Sequence, residues 1–156
     1  MSEPLILTLK KKIEELENKS AILAISTTQQ NTKTSEEVMI NFNEVNQIKG
    51  EDLELSGNTI ICKKRGFIIV SYKILIDSDF GTGNNIIIRL YKNDVEMQRT
   101  TFRPGDATAQ TIQSEARLLE VTENDVLKLG FINYSSNCII GSGARSYANS
   151  INIFYL

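Results

Sequence analysis

Gly66-Phe67-Ile68-Ile69-Val70-Ser71-Tyr72-Lys73-Ile74-Leu75-Ile76 is the longest run in the chain without a structure breaker. β-Branched and aromatic residues dominate it, which suits a pleated backbone. Ile68, Val70, Tyr72, Ile74 and Ile76 alternate with Ser71 and Lys73, a period of two with one apolar face. That pattern predicts a strand lying on a core. The opposite phase is not cleanly polar, because Phe67, Ile69 and Leu75 belong to it. The second face is therefore expected to be partly covered, by a neighbouring element or a neighbouring chain.

Most of the remaining sequence repeats this texture in shorter pieces. Val38, Ile40 and Phe42 alternate with Met39 and Asn41 and predict a first strand. Leu53 and Leu55 precede Ser56-Gly57-Asn58, and Thr59 to Cys62 precedes Lys63-Lys64-Arg65-Gly66. Ile86 to Lys92 places Ile86, Ile88 and Leu90 inward and turns at Lys92-Asn93-Asp94 into Val95 to Phe102. Ala109 to Val121 reads as strand, although Gln113 to Glu120 has helical propensity. Leu127, Leu129 and Phe131 follow the Glu123-Asn124-Asp125 turn, then Cys138 to Ile140, then Ile151, Ile153 and Tyr155. Short strands with a turn every ten residues or so predict a β-sandwich or barrel. A chain of 156 residues can bury such a core without disulfides or metals. Its two cysteines, Cys62 and Cys138, lie inside apolar runs and read as small buried hydrophobes, a disulfide between them being the alternative.

The first 27 residues are of another kind. Apolar positions fall at Ile6, Leu9, Ile13 and Leu16, and the same spacing continues through Ser20, Leu23 and Thr27. This is a heptad with Ile6 and Ile13 at a and Leu9, Leu16 and Leu23 at d. Three heptads would make a rod of about 33 Å. So short a helix is marginal alone in water, and its narrow stripe calls for a partner, either its own β-domain or other copies of the helix; Ile at a with Leu at d leans by itself to two strands. Residues 1–27 are thus read as a coiled-coil segment for oligomerisation and attachment. Residues 28–37, rich in Ser, Thr, Gln and Asn, read as a linker or an arm laid along the domain, and residues 38–156 as the β-domain.

From about Phe42 onward the order of motifs resembles a TNF-like jelly roll of the complement globular-head type. The residues that carry the likeness are Gly66-Phe67-Ile68-Ile69-Val70-Ser71, Leu90-Tyr91-Lys92-Asn93-Asp94, Leu119 to Leu129 and Ser150 to Leu156. Two positions depart from the pattern. Ile68 stands where an aromatic is usual, and Asn124 precedes Asp125 where glycine is usual. Asn tolerates the left-handed turn that glycine would supply. The resemblance implies a mainly β, homotrimeric sandwich with apolar side chains meeting on the three-fold axis. A parallel coiled coil entering one end suits that symmetry. The short stalk, the absence of an export signal and the Asn/Ile/Lys-rich composition resemble bacteriophage virion proteins of the tail-fibre, baseplate or head-fibre kind.

Function classes follow by elimination and chemistry. There is no histidine, so no ordinary triad or imidazole base, and no cofactor is expected. The glycine-rich Gly81-Thr82-Gly83 and Gly141-Ser142-Gly143 are turns, and Asp77 and Asp79 lack the wider ligand set of a calcium loop. A net charge of −2, with no long basic run, argues against a nucleic-acid groove. No apolar run is long enough for a membrane helix. An enzyme is not expected. The expectation is a trimeric particle protein made in the host cytoplasm and carried on the virion. It would attach to other virion proteins through the helix and bind a host-surface saccharide or protein at its tip. The alternative is a purely structural decoration or connector without a host ligand. Candidate tip residues are Asn133 and Tyr134 in one loop, Arg145 and Tyr147 in another, and Arg103 beside Pro104. Tyrosine offers a flat face with a hydroxyl, and arginine a planar donor fork.

Overall fold

The computed structural model describes residues 3–17, 19–76, 85–103, 110–141 and 149–156. One helix, α1 (Glu3–Glu17), precedes fourteen strands among these residues. They are β1 (Ala21–Ser26), β2 (Gln30–Thr32), β3 (Val38–Met39), β4 (Glu44–Lys49), β5 (Leu53–Ser56), β6 (Thr59–Cys62) and β7 (Gly66–Ile76). Then follow β8 (Ile86–Lys92), β9 (Val95–Phe102), β10 (Gln110–Gln113), β11 (Arg117–Val121), β12 (Val126–Asn133), β13 (Cys138–Ile140) and β14 (Asn149–Tyr155).

β7 is the spine of the first sheet. Along one edge it pairs with β14, from Ile68 opposite Tyr155 to Lys73 opposite Ser150. Along the other it pairs with β11 and then β10. Ser114, between β10 and β11, bridges the gap: its Oγ accepts the Tyr72 N–H at 2.9 Å and its N–H donates to the Tyr72 carbonyl. β14 passes to β1 and β1 to the edge strand β4, while β13 meets β7 at Ile76 and carries β2. The second sheet runs β5-β6-β12-β8-β9, with β3 beside β12. Every observed pairing is antiparallel.

The period-two reading holds at each core strand. Ile68, Val70, Ile74 and Ile76 are fully buried, as are Ile151 and Ile153 on β14. Ile86, Ile88 and Leu90 on β8 meet them from the other sheet, with Leu127, Leu129 and Phe131 on β12. Each such side chain contributes about 1.5–3 kcal/mol on leaving water. Asn124 takes the left-handed conformation (φ 70°), as the turn before Asp125 requires. Cys62 and Cys138 are free and buried.

The N-terminal third departs from expectation. The helix stops at Glu17, and Leu23, expected on the heptad, lies on β1. Ala-Ile-Leu-Ala-Ile meets the heptad only at Leu23, while its apolar residues suit a strand covered on both faces. As a strand it buries Ile22 and Ala24 and pairs with both β14 and β4, whereas a helix there would leave that surface wet. The β-domain therefore begins at Ala21 instead of 38. The segment 28–37 contains β2 and is laid along the sandwich, and Val38–Met39 is the third strand, not the first. Ala109–Val121 yields two strands and no helix among its described residues.

The two ends of the sandwich differ. β7 spans about 33 Å from Gly66 to Ile76. Ser20 and Leu156 flank its Gly66 end, where α1 leaves the domain, through Tyr155 N–H to the Ser20 carbonyl and Leu156 N–H to the Phe67 carbonyl. At the Ile76 end lie Gln110, Ile140, Gly141 and Asn149, with Ile86, Phe102 and Asn133 from the second sheet.

Candidate functional site

The root of the helix is fixed by Ser20, which is 1% exposed. Its Oγ donates to Asp52 Oδ2 at 2.8 Å and lies 3.3 Å from the Asp52 N–H, and Lys64 Nζ sits 3.4 Å from the same carboxylate. Gly50 makes this possible, with φ at +72° and no side chain where Ser20 Oγ stands. From that root α1 departs without packing its apolar stripe on the sandwich. Lys11, Glu14 and Glu15 line the groove between the helix and Lys64, Arg65 and Leu156. At about 100° per residue, Ile6, Leu9 and Ile13 fall on the opposite side of the helix from those three. They are 41%, 43% and 53% exposed. The polar face thus turns to the domain and the apolar stripe turns away from it. Leu16 lies on the same helix.

A second open apolar surface lies on the outer face of the β7 sheet. At the stalk end Leu118 (β11), Ile69 (β7), Phe154 (β14) and Ala21 (β1) are lateral neighbours in one row. Phe67 and Leu156 adjoin them. Phe67, Leu118, Phe154 and Leu156 are each about half exposed. Toward the far end the same face becomes mixed, polar groups standing beside Leu23 and Ile25 of β1. There Ser71, Lys73, Gln113, Ser114, Ser150 and Asn152 line a trough of about 550 Å³. The sequence flagged Phe67 and Ile69 but not Leu118 or Phe154. The signal for Phe154 was its place on the outward phase of β14, between the inward Ile153 and Tyr155.

The outer face of the second sheet is, by contrast, closed on itself. Arg89 and Arg99 stand opposite one another on β8 and β9, and two carboxylates neutralise them. Arg99 donates twice to Glu96 at 2.9 Å, and this hydrogen bonding holds the Glu96 carboxyl below its ordinary pKa. Glu37 reaches over Gly130 to accept the Tyr91 hydroxyl at 2.7 Å and lies 3.5 Å from Arg89. A Cβ on Gly130 would collide with the Glu37 carboxylate and come within 3.1 Å of the Tyr91 ring.

The distal end gathers part of the predicted tip set. Tyr134, 41% exposed, follows β12, and exposed Arg103 follows β9; the strand ends before them, Asn133 and Phe102, both flank Ile86 on β8. Asn133 is corrected: it is wholly buried, and its Oδ1 accepts the Ser135 N–H at 2.9 Å, so it shapes the turn instead of facing solvent. Arg145 and Tyr147 lie outside the described residues. The strand ends that flank their segment, Ile140-Gly141 and Asn149, sit at this same end beside Leu75 and Ile76.

Burial pushes the Cys62 thiol up to about 11, only partly opposed by its hydrogen bond with Tyr155, so it stays protonated at neutral pH. Among the described residues no group of three or more His, Cys, Asp or Glu side chains is placed to hold a metal ion. No helix among them is long and apolar enough to cross a membrane.

No protein-family model matches the chain, and no curated protein matches it in sequence. Solved structures do match. Murine APRIL at pH 5.0 superposes with a TM-score of 0.68 at 11% identity, covering 88% of this chain and 99% of that one. The globular domain of zebrafish complement 1qA gives 0.60 at 10% identity, covering 87% and 96%. Vertex protein P5 of the phage PRD1 gives 0.65 at 13% identity, covering 88% of this chain and 73% of that one. At such identities the likeness concerns fold. The fold is a TNF-like jelly roll, as the motif order from Phe42 onward implied.

Proposed function

We propose that this chain forms a homotrimeric virion tip: three jelly rolls on a short parallel coiled coil, with the loop end turned to the host surface. The observation that carries this reading is the pair of open apolar surfaces at the stalk end. A helix whose stripe faces away from its own domain needs other helices, and a half-exposed row of Leu118, Phe154 and their neighbours needs another sheet or edge. Two further copies of the same chain supply both at once, because three helices leaving one end of a trimer run parallel. The closed charge network over the second sheet leaves that face to solvent. Resemblance to a vertex protein supports a place on a particle.

In this arrangement the helix, through Ile6, Leu9, Ile13 and Leu16, holds the trimer and reaches the rest of the virion. The distal loops, with Tyr134, Arg103, Arg145 and Tyr147, meet a host saccharide or protein. Two measurements test it. Light scattering should report three times the 17.5 kDa chain mass, and Phe154→Glu should lower it; a stable monomer refutes the assembly. Saturable adhesion to host cells should weaken in Tyr134→Ala and Tyr147→Ala. Binding to particles stripped of this protein, with none to cells, would instead assign a structural decoration.

A further inference from the structure

Among the described residues Lys73 is the only charged side chain lining the trough on the outer face of the β7 sheet. Its cross-strand neighbours on that face are Gln113 and Ser150, both neutral. It makes no ion pair among the described residues. The nearest carboxylate in its lateral row, Glu44, is three strands away through Ser150 and Ile25, about 14 Å at the usual strand spacing. The groups around Lys73 offer donors: the Ser71, Ser114 and Ser150 hydroxyls and the Gln113 and Asn152 amides. Ser114 Oγ accepts the Tyr72 N–H, so its own hydrogen is free to point into the trough.

Resting on the trimeric reading above, we infer that the three troughs join into one inter-chain cavity that binds a multivalent oxyanion of the phosphate or sulfate type through Lys73. Lys73 stands four residues beyond Ile69 on β7, about 13 Å above the apolar row that would seal the trimer. Three ammonium groups brought around one axis repel one another, and water is partly excluded there. Buried charge without a counter-charge is strongly unfavourable. Among the described residues the walls supply neutral donors, beside apolar Leu23 and Ile25, but no carboxylate, so they suit an anion better than they suit three bare cations. A multivalent oxyanion matches both the charge and the ring of donors, since charge-assisted hydrogen bonds are the strong ones.

The test uses the full chain, with its mass in solution measured first. Inorganic phosphate is titrated calorimetrically at constant ionic strength set with sodium chloride. The expected result is saturable binding with one phosphate per trimer, weakened by about tenfold or more in Lys73→Met and largely restored in Lys73→Arg. Lys73→Met should stay trimeric and lose the phosphate-dependent rise in melting temperature. A trimer that binds no phosphate overturns the inference and leaves the trimer standing; Lys73 is then matched by a carboxylate of a neighbouring copy. Three independent sites per trimer, or unchanged affinity in Lys73→Met, also overturns it. A monomer in solution overturns the assembly itself.

Discussion

Gly50→Ala probes the root of the stalk, and the structure fixes its size. At φ +72° an alanine sits in left-handed backbone, which costs about 1–2 kcal/mol. Its Cβ would also overlap Ser20 Oγ and lie 3.0 Å from Ser20 Cβ, so the serine must turn out of its place. That breaks the bond to Asp52 and strands a polar group that is 1% exposed, a further loss of about 1–3 kcal/mol. Reduced freedom of the unfolded chain returns about 0.4–1 kcal/mol. The net is destabilisation of about 1–5 kcal/mol. Urea unfolding at one fixed protomer concentration measures it, since the proposed assembly would make apparent stability concentration-dependent. Ser20→Ala removes the overlapping oxygen and already forfeits the Asp52 bond, so the double variant should cost clearly less than the two single changes added. A Gly50→Ala midpoint within about 0.5 kcal/mol of the parent, or strict additivity, would refute the reasoning.

Three further outcomes are expected. Burial pushes the Asp125 carboxyl upward, but hydrogen bonds from Thr122 and Asn93 and the Lys92 charge outweigh it and leave it below its ordinary value. Its contribution is therefore complete above the unfolded carboxylate range near 4 and fades as pH falls through the lower folded value. Asp125→Asn should flatten the acid limb of the stability curve and cost about 1–3 kcal/mol at pH 7, read by urea midpoints across pH. Gly130→Ala should expel Glu37 from its place over Tyr91 and lower the melting temperature, while Gly57→Ala, with open space around it, should lose only the backbone term. Cys62, buried and pushed up to about 11, should resist thiol reagents at pH 8 until the protein is unfolded; prompt labelling of the native protein would contradict its burial.

The fold was legible wherever one physical signal stood alone. The strands β7, β8 and β12 bury one phase of a period of two, and Asn124 occupies the left-handed turn its chemistry permits. Legibility failed where two signals shared the same letters. Leu23 completes a heptad and alternates with Ile22 and Ala24, and only the six-residue register with β14, far along the chain, decides for the strand. β4 left no trace in the pattern because an edge strand exposed on both faces need not alternate. The candidate site was half legible. The apolar outward phase of β7 was visible in Phe67 and Ile69, yet its continuation through Leu118 and Phe154 depends on which strands lie side by side. Asn133 was misjudged because a polar residue beside a loop carries no mark of whether it faces solvent or braces the turn.

The seating of β1 has a mechanical consequence. A pull on α1 reaches the domain at Ala21, at the end of a strand held along both edges, by β14 and by β4. In the arrangement proposed above, tension between the loop end and an anchored helix would run along β1 and load those ladders in shear, so their bonds would fail together instead of unzipping one at a time. Pulled from its helix, the domain should yield abruptly and at high force.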